Sequence, residues 1–310
     1  MSHKTMQAVR FHEYGGPEVL VVDQISVPHP QRDQVLVRVV AADVNPADWH
    51  MRAGHYQKFM PLQLPWTPGI DGAGIVEAVV GENVKTFQPG QAVYGLFTGG
   101  YAEYALANAN EIYLKPEHLT FEQAATVAHG ALTAWQAVVE EAEAHPGQTI
   151  LIHGGAGGVG LYAVQFAKWK GARVIATASG VNVDFVRSLG ADQVIDYQTT
   201  NFENWVKDVD AVIDTVGGDL IERSLKVIRN GGKYITMAGQ VDPEAGTARD
   251  ILVTMSRRAD PSKLEQIAQL LESKKVVPVV GKIFPLGQAR QAQELSQTGH
   301  GRGRIVLLTA

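Results

Sequence analysis

The sequence contains no cysteine among its 310 residues. This absence excludes disulfide bonds, thiolate catalysis and every zinc or iron–sulfur site that needs a cysteine ligand. A block of lysine and arginine is also missing, and the net charge of −5 arises from acids and bases that are mixed along the chain. The charge pattern therefore argues against a nucleic acid partner.

Long apolar runs are missing as well. The first residues, MSHKTMQAVRF, lack the apolar centre of a signal peptide. No apolar run approaches the ~20 residues that a helix needs to span a bilayer. We therefore expect a cytoplasmic protein without a membrane partner. Apolar residues make up 45% of the chain, which is enough for a sizeable core, and the length suggests about two domains.

The first part of the chain reads as a β domain. Short apolar runs alternate with turns that contain proline and glycine, and the clearest runs are VLVRVVAADV (35–44), GAGIVEAVV (72–80) and QAVYGLF (91–97). Such spacing is typical of a compact, mostly antiparallel β domain with irregular loops.

The pattern changes after residue 120. One helix is predicted over 120–142, and amphipathic helices then alternate with apolar strands at 149–154, 172–178, 192–197, 210–217 and 233–239. This alternation predicts βαβ units and a parallel sheet covered on both faces, and the handedness of crossovers favours a doubly wound sheet. A further helix is predicted over 220–232, and a strand over 276–280.

The segment GGAGGVG (154–160) contains the pattern GxGxxG between a predicted strand and a predicted helix. Gly157 would let the backbone approach a pyrophosphate, and Gly160 would let the helix pack closely on the strand. Free N–H groups at the start of the helix attract phosphate. A glycine-rich turn without a ligand is the alternative. The predicted cofactor-binding residues of this turn are Ala156, Gly157, Gly158 and Val159.

The end of the second strand bears on the choice of dinucleotide. NAD-binding proteins usually carry an acid there, about 20 residues after the glycine turn, whereas this chain has Thr177-Ala178-Ser179. Small hydroxyl side chains leave room for a 2′-phosphate, so the sequence favours NADPH, with Thr177 and Ser179 at the cofactor. Residues 178–186 contain no lysine or arginine, and Arg187 is the nearest base, so NADH stays possible.

Three further strand ends are candidates for cofactor binding, because ligands bind outside the carboxyl ends of strands in such sheets. The fourth and fifth strands end near Val216-Gly217 and Ala238-Gly239, where we expect nicotinamide and ribose. Tyr197 ends the third strand and could flank the adenosine phosphate. The alternative for Tyr197 is an aromatic side chain packed on the sheet.

Seven motifs are spread over nearly the full length of the chain: AADVNPADWHMRAGHY (41–56), PGIDGAGIVEAVV (68–80), FQPGQAVYG (87–95), ALTAWQAV (131–138), HGGAGGVGLYAVQFAK (153–168), LGADQVIDY (189–197) and GRGRIVLL (301–308). Together they resemble the medium-chain dehydrogenase/reductase superfamily, and within it the zinc-independent quinone oxidoreductases of the zeta-crystallin type.

The resemblance implies an α/β fold and a homodimer. It implies a GroES-like, mostly β catalytic domain at 1–122 and a Rossmann NAD(P)-binding domain with a doubly wound parallel sheet at 123–262. Residues 263–310 would return to complete the catalytic domain. The resemblance also places a lysine of many relatives, which grips the 2′-phosphate, at Val181.

The zinc ligands of the zinc alcohol dehydrogenases are replaced. Asn45 stands where those enzymes have a cysteine, Ile70-Asp71 stands where they have a His-Glu pair, and the four-cysteine structural loop is absent. His50 and His55 are five residues apart and do not share a helix face, so we interpret them as loop or surface histidines. We expect no metal.

Without zinc, the protein cannot strongly polarise a simple carbonyl, so a quinone or an α,β-unsaturated carbonyl is the expected hydride acceptor. The resemblance implies that Asn45 and Tyr56 line a cleft beside the nicotinamide. Asn45 would donate to a developing oxyanion, Tyr56 would donate a hydrogen bond or proton, and Asp48 would orient their loop. Thr126 would shape the cofactor cleft.

Two other classes of function compete with this hypothesis. One is a cofactor-binding redox sensor or structural protein with little turnover, which would not need Asn45 and Tyr56 to face the nicotinamide. The other is a zinc alcohol dehydrogenase, which would need metal in the purified protein. The sequence names neither the physiological acceptor nor the number of electrons transferred in each step.

Overall fold

The computed structural model describes residues 4–81 and 86–309, so the outer ends of the predicted domains, at 1–3 and 310, lie outside the described residues. The chain forms two compact units. The first comprises Met1–His129, Leu264–Glu272 and Pro278–Ala310, and the second comprises Gly130–Lys263 and Ser273–Val277. The domain ranges predicted from the sequence, 1–122, 123–262 and 263–310, stay predictions.

The regular elements follow one another in the order expected for an α/β chain. The strands are β1 (Thr5–Arg10), β2 (Val21–Ser26), β3 (Gln34–Val44), β4 (Asp71–Val80), β5 (Ala92–Leu96), β6 (Tyr104–Asn108), β7 (Ile112–Leu114), β8 (Thr149–His153), β9 (Arg173–Ala178), β10 (Gln193–Asp196), β11 (Val209–Asp214), β12 (Ile228–Thr236), β13 (Leu252–Met255), β14 (Val280–Pro285) and β15 (Arg304–Leu308). The α-helices are α1 (Pro46–Arg52), α2 (Phe121–Ala125), α3 (Ala128–Trp135), α4 (Gly160–Trp169), α5 (Val183–Ser188), α6 (Leu220–Leu225), α7 (Leu264–Glu272) and α8 (Ala289–Gln297).

The first unit is built on a seven-stranded sheet in the order β14-β15-β3-β4-β5-β7, with β6 also paired to β3. All of its pairings are antiparallel except β14 with β15. β3 is the longest strand and contributes Val35, Val37 and Val39 to the apolar core. β3 is buried along most of its length, and Arg38 is its one exposed residue. β3 ends directly before Asn45 and therefore delivers that residue to the start of α1.

The second unit contains a six-stranded parallel sheet in the order β10-β9-β8-β11-β12-β13. The chain order reverses between β8 and β11, which is the arrangement of a doubly wound nucleotide-binding sheet. Central strands such as Thr149–His153 are buried nearly throughout because helices cover both faces of a parallel sheet. The predicted α/β fold, with a GroES-like domain and a Rossmann domain, is confirmed.

Three elements differ from the sequence predictions. The helix expected over 120–142 is broken into α2, α3 and a π-helical turn at Gln136–Glu141. Thr126 caps α2, and its hydroxyl donates to the carbonyl of Gln123 at 2.8 Å, which competes with helix continuation. The helix expected over 220–232 ends at Leu225 because Ile228 already pairs with Val209 in the sheet.

The third difference lies near the end of the chain. The strand predicted at 276–280 is wrong over 276–279, which form no strand, and the strand of this region is β14 (Val280–Pro285), which pairs with β15. Pairing with β15 decides which residues form β14, and an apolar run in the sequence does not show where that pairing begins. Within the described residues, no helix has both the length and the apolar character needed to cross a bilayer.

Candidate active site

The start of α1 carries the residues that the sequence assigned to catalysis. Asn45 is extended and precedes the helix, and Pro46 occupies the first turn, where its missing N–H costs nothing. The backbone N–H of Asn45 donates to a carboxylate oxygen of Asp48 at 2.9 Å. This bond fixes the direction in which the chain leaves β3.

Asp48 is fully buried and accepts two more hydrogen bonds. The N–H of Gly69 donates to its Oδ1 at 3.0 Å, and the hydroxyl of Tyr101 donates to its Oδ2 at 3.3 Å. Burial raises the pKa of Asp48 to about 6, although the hydrogen bonds oppose that shift. Asp48 therefore ties α1 to the turn before β4, and its predicted role in orienting the loop stays a prediction.

Asn45 belongs to a buried polar network. Its Nδ2 donates to Oδ1 of Asp71 at 2.7 Å, and its Oδ1 accepts from the guanidinium of Arg304. The same guanidinium donates to Asp43, and all four side chains are buried. The Asn45 amide thus has partners on both sides, which links α1 to β4 and β15. Its predicted role as a donor to substrate stays a prediction.

Asp71 connects this network to α3. Its Oδ2 accepts the N–H of His129 at 2.8 Å, at the beginning of that helix. An acid at a helix N-terminus is stabilised by the free N–H groups and the helix dipole. Both carboxylate oxygens of Asp71 therefore accept hydrogen bonds that link elements of the fold. Thr126, predicted to shape the cofactor cleft, is buried in the first unit beside this helix.

Tyr56 lies in the turn that follows α1 and is half-buried. Burial raises its pKa, so the phenol stays protonated at neutral pH. Its ring centroid lies 5.7 Å from that of His50. His50 in turn contacts His55, with their Nδ1 atoms 2.6 Å apart.

The histidine contact differs from the sequence interpretation, in which these residues did not share a face. The N–H of His55 donates to the carbonyl of His50 at 3.0 Å, which closes a turn and folds His55 back. Burial and the neighbouring His55 lower the pKa of His50. Throughout residues 4–81 and 86–309, no group of three or more histidine, aspartate or glutamate side chains could hold a metal ion.

The glycine turn of the second unit joins β8 to α4 as predicted. Gly157 donates its N–H to the carbonyl of Gly154 at 2.9 Å, which tightens the turn. A methyl group on Gly157 would meet only that carbonyl oxygen, at 3.3 Å, whereas one on Gly160 would lie 2.1 Å from it. Gly160 is thus required by packing, and Gly157 leaves its outer face open.

The turn offers donors for a phosphate. Among the described residues, the N–H groups of Gly158, Val159 and Gly160, at the junction of the turn and α4, have no backbone acceptor. Unpaired N–H groups at a helix start, next to a glycine that opens the backbone, suit a dinucleotide pyrophosphate. Ala156 is buried beneath the turn. These residues fit the predicted phosphate site.

Thr177 accepts hydrogen bonds from the glycine turn. It is buried; its hydroxyl accepts the N–H of Gly154 at 3.3 Å, and its carbonyl accepts the N–H of Gly155 at 3.0 Å. The hydroxyl also contacts Nδ1 of His153 at 3.1 Å. Thr177 therefore supports the glycine turn through the backbone, and its predicted contact with the cofactor stays a prediction.

The adenosine end of the predicted site lies where β9 and β10 stop. Ser179 accepts from the side chain of Asn182 at 3.0 Å, Val181 is 89% exposed, and Tyr197 is half exposed. Arg187 pairs with Asp184 of its own helix at 2.6 Å. The nearest base is therefore already paired with an acid.

The remaining predicted cofactor residues follow β11 and β12. Asp214, the last residue of β11, accepts the N–H groups of Val216 and Gly217 and the hydroxyl of Tyr234 at 2.6 Å. These bonds shape the turn at 216–217, where the Val216 side chain is exposed. Ala238 and Gly239 follow β12 at the same carboxyl edge of the sheet.

Several structural residues of the site were missed by the sequence reasoning. Asp43 lies one residue before the end of β3 and Arg304 begins β15, and a charged residue next to an apolar run is a signal that a buried ion pair could explain. Asp214 and Tyr234 end or line strands and gave no comparable signal. His153 ends β8, and its ring is held between Thr177 and the hydroxyl of Ser224, with Nε2 3.0 Å from the latter.

His153 should make stability depend on pH. Burial lowers its pKa to about 4 in the folded protein, against 6.5 for the free side chain. Between these values the unfolded chain binds more protons, so the free energy of unfolding falls as pH drops from 6.5 to 4, by up to about 3 kcal/mol. Urea denaturation at several pH values measures it.

The variant His153→Gln, which can still hydrogen-bond but does not titrate, should reduce the pH dependence in that window by about one proton. His118→Gln, at an exposed position, is the matched control and should leave it unchanged. Equal slopes for wild type and His153→Gln would contradict this assignment. The comparison between variants is needed because Asp48, with its raised pKa, destabilises the fold as pH rises through 4 to 6.

Two known protein families match separate parts of the chain. Residues 31–117 match the alcohol dehydrogenase GroES-like domain family, and residues 189–307 match the zinc-binding dehydrogenase family. The quinone oxidoreductase of Mus musculus is 35% identical over 98% of either chain. The chloroplastic NADPH-dependent alkenal/one oxidoreductase of Arabidopsis thaliana is 36% identical over 98% of this chain and 80% of its own.

A solved structure is similar in the same way. The quinone oxidoreductase from Coxiella burnetii superposes with a TM-score of 0.90 at 34% identity, and the match covers 99% of this chain and 100% of that chain. The chain belongs to the medium-chain dehydrogenase/reductase superfamily, in its quinone oxidoreductase branch. It is therefore an oxidoreductase of a family that binds nicotinamide dinucleotides.

Proposed function

We propose that this protein reduces a quinone or an α,β-unsaturated carbonyl with hydride from NAD(P)H, without zinc. One observation carries the proposal: the Arg304 guanidinium donates to Asn45, whose amide donates to Asp71. Asn45 and Asp71 stand where zinc alcohol dehydrogenases have metal ligands. The buried guanidinium contacts Asn45 and would repel a second cation there, which supports a site without zinc.

The acceptor class follows from the lack of a Lewis acid. A simple ketone needs strong polarisation before it accepts hydride, whereas a quinone or enone is already electrophilic. The reduced nicotinamide supplies the hydride. The overall reaction consumes one hydride and one proton per acceptor, so the protein must also deliver a proton or guide one from water.

Tyr56 is our proposed proton or hydrogen-bond donor. Its raised pKa keeps the hydroxyl protonated at neutral pH, and a neutral donor stabilises an oxygen that gains negative charge in the transition state. Asn45 and Asp48 are completely buried and hold the start of α1 through their hydrogen bonds. We propose that these two residues position the Tyr56 segment.

We propose NADPH as the preferred reductant. Small hydroxyl side chains at the end of β9 support it, as does the name of the Arabidopsis relative, an NADPH-dependent enzyme. NADH is the second candidate, because Val181 stands where many relatives have a lysine. NADPH and NADH differ only in the 2′-phosphate, so a substitution at Val181 tests which of the two is preferred.

Val181→Lys should lower the dissociation constant for NADPH by about tenfold and leave that for NADH unchanged, because an ammonium group would pair with the 2′-phosphate. Val181 is 89% exposed, so the lysine has room. Val22→Lys, at an exposed position of β2, is the control. Titration of dinucleotide fluorescence measures both constants, and an equal gain for NADH would contradict the placement of the ribose.

The acceptor class is tested by a panel. We expect NADPH oxidation with 1,4-benzoquinone and with a 2-alkenal, and at most weak turnover with saturated ketones or aldehydes of the same size. No turnover of any acceptor with either dinucleotide would leave the redox-sensor hypothesis in its place.

We also propose a homodimer. β13 is an edge strand of the six-stranded sheet, and its Leu252 and Met255 are 57% and 52% exposed. Unpaired edge strands with apolar side chains are surfaces on which a second copy can extend a sheet. Sedimentation equilibrium tests this proposal, and a monomer mass at working concentrations would contradict it.

A further inference from the structure

Asp196 lies at the adenosine end of the predicted dinucleotide site. It is the last residue of β10 and stands opposite Ala178, the last residue of β9, in the parallel pairing. The N–H of Tyr197 donates to the carbonyl of Ala178 at 3.1 Å, so the two strands leave the sheet together. Carboxyl ends of parallel strands form one edge, where ligands bind.

The loops that follow these two strands are joined. The N–H of Gly180 donates to Oε1 of Gln198 at 3.3 Å. Oδ1 of Asp196 accepts the N–H of Gln198 at 3.0 Å, and its Oδ2 accepts the hydroxyl of Thr199 at 3.3 Å. These bonds hold the carboxylate at the mouth of the turn that follows β9.

Gly180 brings the backbone directly against this carboxylate. A methyl group on Gly180 would lie 2.8 Å from Oδ2 of Asp196. Gly180 follows Ser179, the position where an NAD-binding protein would grip the ribose with an acid at the end of its second strand. In this chain, a carboxylate reaches the same place from the third strand.

No cation offsets the charge of Asp196 in the part of the chain that the structure describes. Arg187, the nearest base in sequence after β9, is paired with Asp184, and Lys168 is paired with Asp192, which precedes β10. Val181, in the loop that follows β9, carries no charge. The adenosine end is therefore acidic, although its hydroxyl side chains leave room for a phosphate.

We propose that Asp196 is a specificity-determining residue that weakens binding of the 2′-phosphate and accepts a hydrogen bond from a ribose 2′-hydroxyl. The inference rests on the proposed function, in that it needs a dinucleotide at the 154–160 turn. A 2′-phosphate carries about −1.5 to −2 charges, and a carboxylate beside it repels it. Asp196 thus narrows the preference for NADPH that the small side chains would otherwise give.

Direct binding tests the proposal without turnover. Dissociation constants for NADPH and NADH, and for adenosine 2′,5′-bisphosphate against 5′-AMP, are measured on wild type and Asp196→Asn. We expect Asp196→Asn to bind NADPH and the bisphosphate about tenfold more tightly, and to bind NADH and 5′-AMP about two- to fivefold more weakly, because their ribose 2′-hydroxyl loses a charged acceptor. Asp196→Ser, which keeps an oxygen without the charge, should shift the constants in the same direction.

Asp208→Asn is the matched control. Asp208 is exposed and directly precedes β11, at the opposite edge of the same sheet, so the same loss of charge there should leave all four constants unchanged. An unchanged ratio of NADPH to NADH affinity in both Asp196 variants would overturn the inference and leave the proposed function standing. Failure of wild type to bind either dinucleotide would overturn both.

Discussion

Replacing Gly157 with alanine should raise the dissociation constants for both NADPH and NADH by about tenfold or more while the protein stays folded. The added methyl group meets only the carbonyl oxygen of Gly154, at 3.3 Å, so the turn needs only a small shift to accept it. The same methyl group covers the outer face of the turn, where the pyrophosphate would approach. Isothermal titration of the two dinucleotides measures the effect, and thermal unfolding monitors the fold.

Two further alanine variants separate binding from folding. Gly160→Ala places a methyl group 2.1 Å from the backbone oxygen of Gly154 and should lower stability as well as binding. Gly287→Ala, whose methyl group would have no atom within 4 Å, should change neither. If Gly157→Ala binds both dinucleotides as wild type does, the turn is not the phosphate site and the assignment fails.

Replacing Arg304 with methionine should lower the free energy of unfolding by about 3–5 kcal/mol, because it leaves the carboxylate of Asp43 buried without its charged partner. Both side chains are almost completely buried, and burial lowers the pKa of Arg304 to about 9. Asn45 loses a hydrogen-bond donor in the same variant, so activity should fall too. Urea denaturation and steady-state rates measure the two effects.

A double-mutant cycle shows whether the loss comes from the unpaired charge. Asp43→Leu combined with Arg304→Met removes both charges and should recover most of the stability, since apolar pairs often replace buried ion pairs without loss. Activity should stay low, because Asn45 still lacks its donor. Arg32→Met, at a side chain that is 83% exposed, is the control. A change of less than about 0.5 kcal/mol for Arg304→Met would contradict a structural ion pair.

Local patterns carried most of the fold. Apolar runs bounded by glycine and proline predicted β3, β8 and β9 to within two residues, and the glycines at 154–160 predicted where α4 begins. The boundary between α6 and β12 was not predictable, because Ile228 enters the sheet by pairing with Val209, a contact that no local pattern reports. Tertiary pairing overrides local propensity in such cases.

In the candidate site, too, contacts that are local in sequence were predictable and distant contacts were not. Residues near one another in sequence were predictable, as Asn45 and Asp48 show through their shared helix start. The partner of Asn45 on β15, Arg304, lies 259 residues further along the chain, and sequence spacing carries no information about that contact. On a continuous helix, His50 and His55 would not share a face, yet the turn after α1 brings them into contact.

The rate of NADPH oxidation by 1,4-benzoquinone, before and after exhaustive removal of metal ions by a chelator, tests the central claim most directly. The buried Arg304–Asn45–Asp71 network leads us to expect turnover that changes by less than about twofold when metal is removed or when zinc is added back. Turnover that disappears with the chelator and returns with zinc would contradict the account, as would protein that never oxidises NADPH or NADH with this acceptor.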